Sequence, residues 1–265
     1  MSESLLTVDK LEVVYHRAIT AVQGVSLSVR QGQIVAILGT NGAGKSTTLR
    51  AMSGFLGIDD ARVTEGSITF KGQRIENRPP NEITRRGIVL VPERDKVFPN
   101  LTVAENLSAP FSPGRGQRDR EALVLQFFPK LRDLRTRTAG LLSGGERQML
   151  ALASALMCEP ELLLVDELSL GLAPVVVEDL MERVVQIQRE LSMTIVIVEQ
   201  SAATALAVAD YGYVLENGRV VLDGDGARLR AHGDIQEFYL GQSGGTERRS
   251  YRSVKQYRRT RRWYG

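Results

Sequence analysis

Residues 39–47, GTNGAGKST, carry the densest chemistry in the chain. They fit the pattern G-x-x-x-x-G-K-[ST] at Gly39, Gly44, Lys45 and Ser46. The apolar run QIVAIL precedes them and a helical pattern follows. Phosphate oxygens need backbone N–H groups aimed inward at close range, which glycines permit, and a helix N-terminus adds its positive end. The expected cradle is Gly39, Asn41, Gly42, Ala43 and Gly44, with Lys45 as a point charge for the outer phosphates. The Ser46 hydroxyl, with Thr47 beside it, is expected to coordinate Mg²⁺. A second group lies in LLLVDE, residues 162–167. An apolar strand delivers Asp166 to its carboxyl end, where parallel sheets bind ligands, and a carboxylate there suits a hard cation. Glu167 points differently and is placed to act on an attacking water. The two segments together predict nucleotide hydrolysis.

Between them lies LSGGERQ, residues 142–148. Ser143 followed by Glu146 is a capping box, so a helix starts here. A helix N-terminus bearing Ser143, Gly144 and Gly145 is also suited to phosphate. Asp166 follows Ser143 by 23 residues. The order of these three segments resembles the ATPases of ABC transporters over about residues 5–240. The resemblance implies that Ser143, Gly144 and Gly145 serve ATP held by a second such subunit. It implies that Tyr15 stacks on adenine, although a strand-edge tyrosine is an equal reading. It also implies that SLGL, residues 169–172, crosses the dimer interface and that the helical region faces a membrane protein.

Two positions depart from most of the family. Glu93, in VPERDKVFPNLTVAENL, replaces the usual glutamine and becomes a candidate for the metal. Gln200, in IVEQ, replaces the usual histidine. An amide is no strong base but hydrogen-bonds phosphate or water, which leaves Glu167 as the expected general base. With SLGLAP and YGYVLENGRVVLDGDG, these features resemble the ATP-binding subunits of branched-chain amino acid importers. That resemblance implies permease partners in the membrane, an external binding protein acting indirectly, and a place on the cytoplasmic face of the inner membrane. A soluble family member acting on ribosomes or nucleic acid is the competing reading. Leu168 and Ser154 also depart, replacing a usual proline and a common arginine.

The elements that position these residues follow from hydrophobic periodicity. Short strands are expected at 5–14, 25–29, 66–70 and 87–91, and fully buried strands at 33–38, 161–165 and 194–198. Helices are expected from Lys45, over 175–191, and through 98–160 with breaks at Pro110, Pro113, Pro129 and Gly140. Asn217-Gly218 predicts a type I′ hairpin between 211–215 and 219–222. This is an α/β pattern. The implied fold is a P-loop NTPase (RecA-like) core with a mostly parallel sheet, an N-terminal antiparallel β subdomain and an inserted helical subdomain at about 98–160, together residues 1–241.

Composition agrees. Among 265 residues, 43% are hydrophobic and 25% charged, so a core forms without disulfides, and one cysteine excludes an intrachain bridge. Cys158 reads as a small buried helix residue. No apolar run reaches the length of a membrane span, and MSESLLTVDK has no signal-peptide character, so an intracellular protein is expected. The net charge of +3 is unevenly divided. Residues 242–265 hold eight Lys/Arg and one acid, whereas residues 1–241 hold 26 basic and 30 acidic residues. This tail, with four aromatic residues, reads as a flexible solvated extension, as a contact for polyanions, or as a segment packed on the body.

Overall fold

A computed structural model describes residues 4–94, 96–110, 116–232 and 235. The chain starts with two long antiparallel strands, β1 (Ser4–Tyr15) and β2 (Ile19–Arg30), then enters the central strand β3 (Ile34–Gly39) and helix α1 (Lys45–Ser53). After a 3₁₀ turn come β4 (Ala61–Phe70), β5 (Gln73–Arg74), α2 (Pro80–Arg85) and β6 (Ile88–Val91). The inserted helices are α3 (Val103–Ser108), α4 (Gln117–Phe127), α5 (Lys130–Asp133) and α6 (Gly144–Leu156). The chain then returns through β7 (Leu162–Asp166), α7 (Pro174–Leu191), β8 (Thr194–Glu199), α8 (Ala202–Val208), the hairpin β9 (Tyr211–Glu216) and β10 (Arg219–Asp225), and α9 (Gly226–Arg230).

Two sheets result. One is antiparallel, in the order β2-β1-β4-β5; the other runs β10-β9-β3-β8-β7-β6 and is parallel except for β10. The parallel strands are buried on both faces because alternate residues enter two different cores. Ile34, Ala36 and Leu38 of β3, Leu163 and Val165 of β7, and Ile195 and Ile197 of β8 join the helical core built on α6 and α7. Val35, Ile37, Leu162, Leu164, Val196 and Val198 join the core shared with α1 and the antiparallel sheet. Tyr213 pins the sheets together, its Oη accepting from Ser28 N at 3.0 Å and donating to Ser28 O at 3.1 Å.

The expected elements are present, several with different ends. β2 starts at Ile19 rather than near 25, and β4 at Ala61 rather than near 66. Bulges hide both extensions by breaking the two-residue period. At Gly66 (φ 83°) a Cβ would lie 2.4 Å from the carbonyls of Asp9 and Lys10, so only glycine fits that bulge. Helix α8, AATALAV, has small apolar residues throughout and gives no helical periodicity. Its start is marked by Ser201, whose Oγ accepts from Thr204 N. In the helical insertion α3 stops before Pro110, Pro129 caps α5 and Gly140 lies in a 3₁₀ turn, as expected. The predicted hairpin turn has positive φ at Asn217 (50°) and Gly218 (73°). The break at Pro113, the end of the body near Leu240 and the basic tail lie outside the described residues.

Candidate functional site

The loop between β3 and α1 forms one wall of a cleft of about 530 Å³. Asn41, Gly42, Ala43, Gly44, Lys45, Ser46 and Thr47 line it, with Ala21, Glu93, Arg94, Glu167, Leu170 and Gln200. Gly44 (φ 99°) turns the chain into α1. A Cβ there would lie 3.0 Å from the carbonyl of Ala21, so glycine is needed for conformation and for space. Gly39, the last residue of β3, does not line the cleft; its carbonyl accepts from Lys45 Nζ at 3.0 Å, and Thr40 O accepts at 3.3 Å. Tyr15, at the end of β1, reaches the same loop through a 3.3 Å hydrogen bond between its Oη and Thr47 Oγ1.

β7 and β8 bring the acidic groups. Ser46 Oγ donates to Asp166 Oδ1 at 3.0 Å. Asp166 is buried, and burial raises its pKa to about 6, opposed by the Ser46 bond and reinforced by the nearby Glu167 and Glu93. A carboxylate held out of water next to two other carboxylates gains from a bound cation, and Arg50 already acts in that sense. Glu167, also buried, lies one residue on, in the left-handed region at φ 48°. Its Oε1 is 3.7 Å from Lys45 Nζ, and Gln200 Nε2 donates to its two oxygens at 3.2 and 3.0 Å. Lys45, Glu167 and Gln200, distant in sequence, thus meet beside the phosphate loop.

Ser143, Gly144 and Gly145 are not part of this cleft. Ser143 caps α6: its Oγ accepts from Glu146 N at 3.3 Å and its N–H donates to Glu146 Oε2 at 2.8 Å. That backbone N–H, first, and Lys130 hold the Glu146 carboxyl down at about 2. Gly144 and Gly145 pack close against Leu172 and Val176, where added Cβ atoms would fall at 3.0 and 2.7 Å. Leu170 lies between the two regions, lining both the phosphate cleft and a second one with Gly144, Lys96 and Gln148.

Ala21 and Arg94 also line the cleft and Glu199 lies at the end of β8, none of them among the expected site residues. Glu199 is buried, and its carboxylate accepts from Ser169 N at 3.0 Å and from Ser169 Oγ at 2.6 Å. The signal was available: an acid ending an apolar strand, the same feature that singled out Asp166. Of the two departures, Leu168 is buried and Ser154 Oγ donates to Asn106 O at 3.5 Å.

The donor set fits Mg²⁺. Ser46, Asp166 and Glu93 offer hard oxygens, and the described residues contain no cluster of three or more His, Cys, Asp and Glu that would cage a metal alone. Few protein ligands plus substrate phosphates is the usual way Mg²⁺ is held.

Comparison with known proteins accords with this geometry. The ABC transporter family model matches residues 22–169. The high-affinity branched-chain amino acid transport ATP-binding protein BraG of Pseudomonas aeruginosa is 41% identical, over 89% of this chain and all of that protein. The probable branched-chain amino acid transport ATP-binding protein LivF of Archaeoglobus fulgidus is 37% identical over 82% of this chain and 91% of its own length. Among solved structures, the ADP conformation of MJ1267, an ATP-binding cassette of an ABC transporter, superposes with a TM-score of 0.78 at 27% identity, covering 91% of this chain and 100% of that one. The chain belongs to the ABC transporter family and is one of its ATP-hydrolysing cassettes. No helix among the described residues is long and apolar enough to cross a membrane.

Proposed function

We propose that this chain energises an importer for branched-chain amino acids or related small amides and acids. The names of BraG and LivF and the presence of Glu93 and Gln200 support that substrate class. The membrane-spanning permeases are separate chains, and an external binding protein is served indirectly. The chain docks peripherally on the cytoplasmic face. A second cassette completes the site: Ser143, Gly144 and Gly145 lie away from their own phosphate loop, on a surface suited to a partner's ATP. That partner is a copy or a related cassette; BraF, 28% identical to this chain, is named for the same transport as BraG in the same organism.

In this reading the backbone of residues 39–44 cradles the phosphates, Lys45 serves the outer ones, and Tyr15 takes the adenine. Ser46, Asp166 and Glu93 would hold Mg²⁺, which would offset charge on the phosphates. Gln200 orients water against the γ-phosphorus. Glu167 accepts the water proton as the new P–O bond forms, and the bond to the β-phosphate oxygen breaks with its electron pair leaving on ADP. The convergence of Lys45, Glu167 and Gln200 carries the proposal. General-base assistance is worth ~10²–10⁴ in rate. Glu167→Gln is therefore expected to bind ATP and lose steady-state hydrolysis by about that factor; turnover within a few-fold of wild type would remove Glu167 from the role.

A further inference from the structure

Glu199, the last residue of β8, is almost fully buried at 1% exposure and has no chemical role in the mechanism above. Its carboxylate is engaged by donors from the segment that follows Glu167. Ser169 supplies its N–H to Oε1 and its hydroxyl to Oε2, and the Leu168 N–H also bonds to it. The other polar group of Leu168 is held from a different element. Gln148 of α6, 3% exposed, donates Nε2 to Leu168 O at 2.7 Å and accepts at Oε1 from Lys96 Nζ at 2.8 Å. Lys96 follows Glu93 on the loop leaving β6.

Glu167 itself has little freedom of its own to be where it is. A left-handed φ of 48° in a non-glycine residue persists only where the surroundings impose it. Its N–H donates to Val198 O at 2.9 Å, and its carboxylate receives Gln200. The end of β8 therefore holds residues 167–169 at three successive points: Val198 at the backbone of Glu167, Gln200 at its side chain, and Glu199 at Leu168 and Ser169.

We infer that Glu199 and Gln148 are positioning residues for ATP hydrolysis: by gripping Leu168 and Ser169 from β8 and from α6, they fix the carboxylate of Glu167 against the amide of Gln200. The inference rests on the assignment of Glu167 as general base. It also gives the chain a link between the helical insertion and the site, since a shift of α6 or of Lys96 is passed through Gln148 to the residue after Glu167. The chemistry asks for a carboxylate at 199. All three of its partners are donors, and a carboxylate offers acceptors at both oxygens, whereas an amide turns an NH₂ toward one of them.

The experiment uses the full chain and measures kcat and KM for ATP, equilibrium ATP binding and Tm for Glu199→Gln, Ser169→Ala, Ser169→Thr and Glu167→Gln. A positioning role predicts that Glu199→Gln loses about 10-fold or more in kcat while KM and ATP affinity stay within about two-fold. Ser169→Ala is expected to lose kcat in the same sense, and Ser169→Thr, which keeps the hydroxyl, to recover it. Should Glu199→Gln fail to fold, the two Ser169 variants decide. A kcat within about two-fold of wild type in folded Glu199→Gln and Ser169→Ala overturns the inference, as does a fall in kcat matched by lost ATP affinity. Loss in Glu167→Gln with no effect at 199 and 169 sinks the positioning role alone; turnover retained in Glu167→Gln sinks the base assignment beneath it.

Discussion

Asp166→Asn should make the nucleotide-free chain more stable at neutral pH, by an amount that vanishes in acid. Asp166 is buried with one side-chain hydrogen-bond donor, Ser46, and the charge of Arg50 only partly offsets its burial. Its pKa rises from an ordinary 3.8 to about 6, chiefly through burial. The folded state therefore binds more protons than the unfolded state between about pH 4 and 6, and stability falls as pH rises through that window. Above it the full cost applies: at about 1.4 kcal/mol per pKa unit, the rise corresponds to about 3 kcal/mol. Asparagine has a similar shape, still accepts from Ser46 through Oδ1 and carries no charge to bury. Urea denaturation of both proteins from pH 4 to 8 yields the quantity of interest, the difference in unfolding free energy. Groups common to both, such as Glu199, whose burial also raises its pKa, cancel in that difference. The mutant advantage should be about 3 kcal/mol at pH 7 and shrink towards zero near pH 4. Added Mg-ATP should reverse the order, because the ionised carboxylate then has its cation and the mutant does not. A difference that is flat in pH, or a mutant less stable than wild type at pH 7 without nucleotide, would refute the reasoning.

Glu167→Gln should act in the opposite sense on the nucleotide-free chain, lowering its stability by about 1–3 kcal/mol, because buried Lys45 loses its only ion-pair partner among the described residues; thermal denaturation of both variants side by side checks the contrast. Ser143→Arg should abolish hydrolysis while ATP affinity of the isolated monomer, measured by titration, stays near wild type, since Ser143 lies outside its own phosphate cleft. Truncation after Gly241 should leave ATP turnover intact and lower retention on heparin or anionic vesicles at low salt, because eight cations release counterions on binding. A truncated chain that unfolds or loses ATPase activity would make the tail structural instead.

Much of the fold was legible because its parallel strands are short apolar runs closed by chemistry-bearing residues. QIVAIL ends in the phosphate loop and LLLVD in Asp166, so period, position and chemistry agreed. The antiparallel strands β2 and β4 extend beyond their expected starts because Gly66 and the bulges against β1 interrupt the alternation. Helix α8 escaped because its face is apolar all round. In the site, the loop residues were legible as a motif, since backbone N–H groups serve phosphate wherever the glycines and the helix start fall correctly. The contacts of Glu199 and Ala21 were not, because they join distant segments: the end of an apolar strand marks Glu199 but not its partner Ser169, 30 residues away, and Ala21 reaches the cleft only because the antiparallel sheet packs over α1.

The two adjacent carboxylates show why neighbouring residues of one type take different parts. Asp166 is the last residue of β7 and keeps the strand's extended course, so its side chain meets Ser46 under the phosphate loop. Glu167 turns into the left-handed region, which sends its side chain to Lys45 and Gln200 instead. Lys45 therefore faces the very carboxylate proposed as base, 3.7 Å away in a buried place. In the proposed mechanism a phosphate in the loop competes for Lys45, so ATP binding would loosen the Lys45–Glu167 pair while Gln200 still holds the carboxylate.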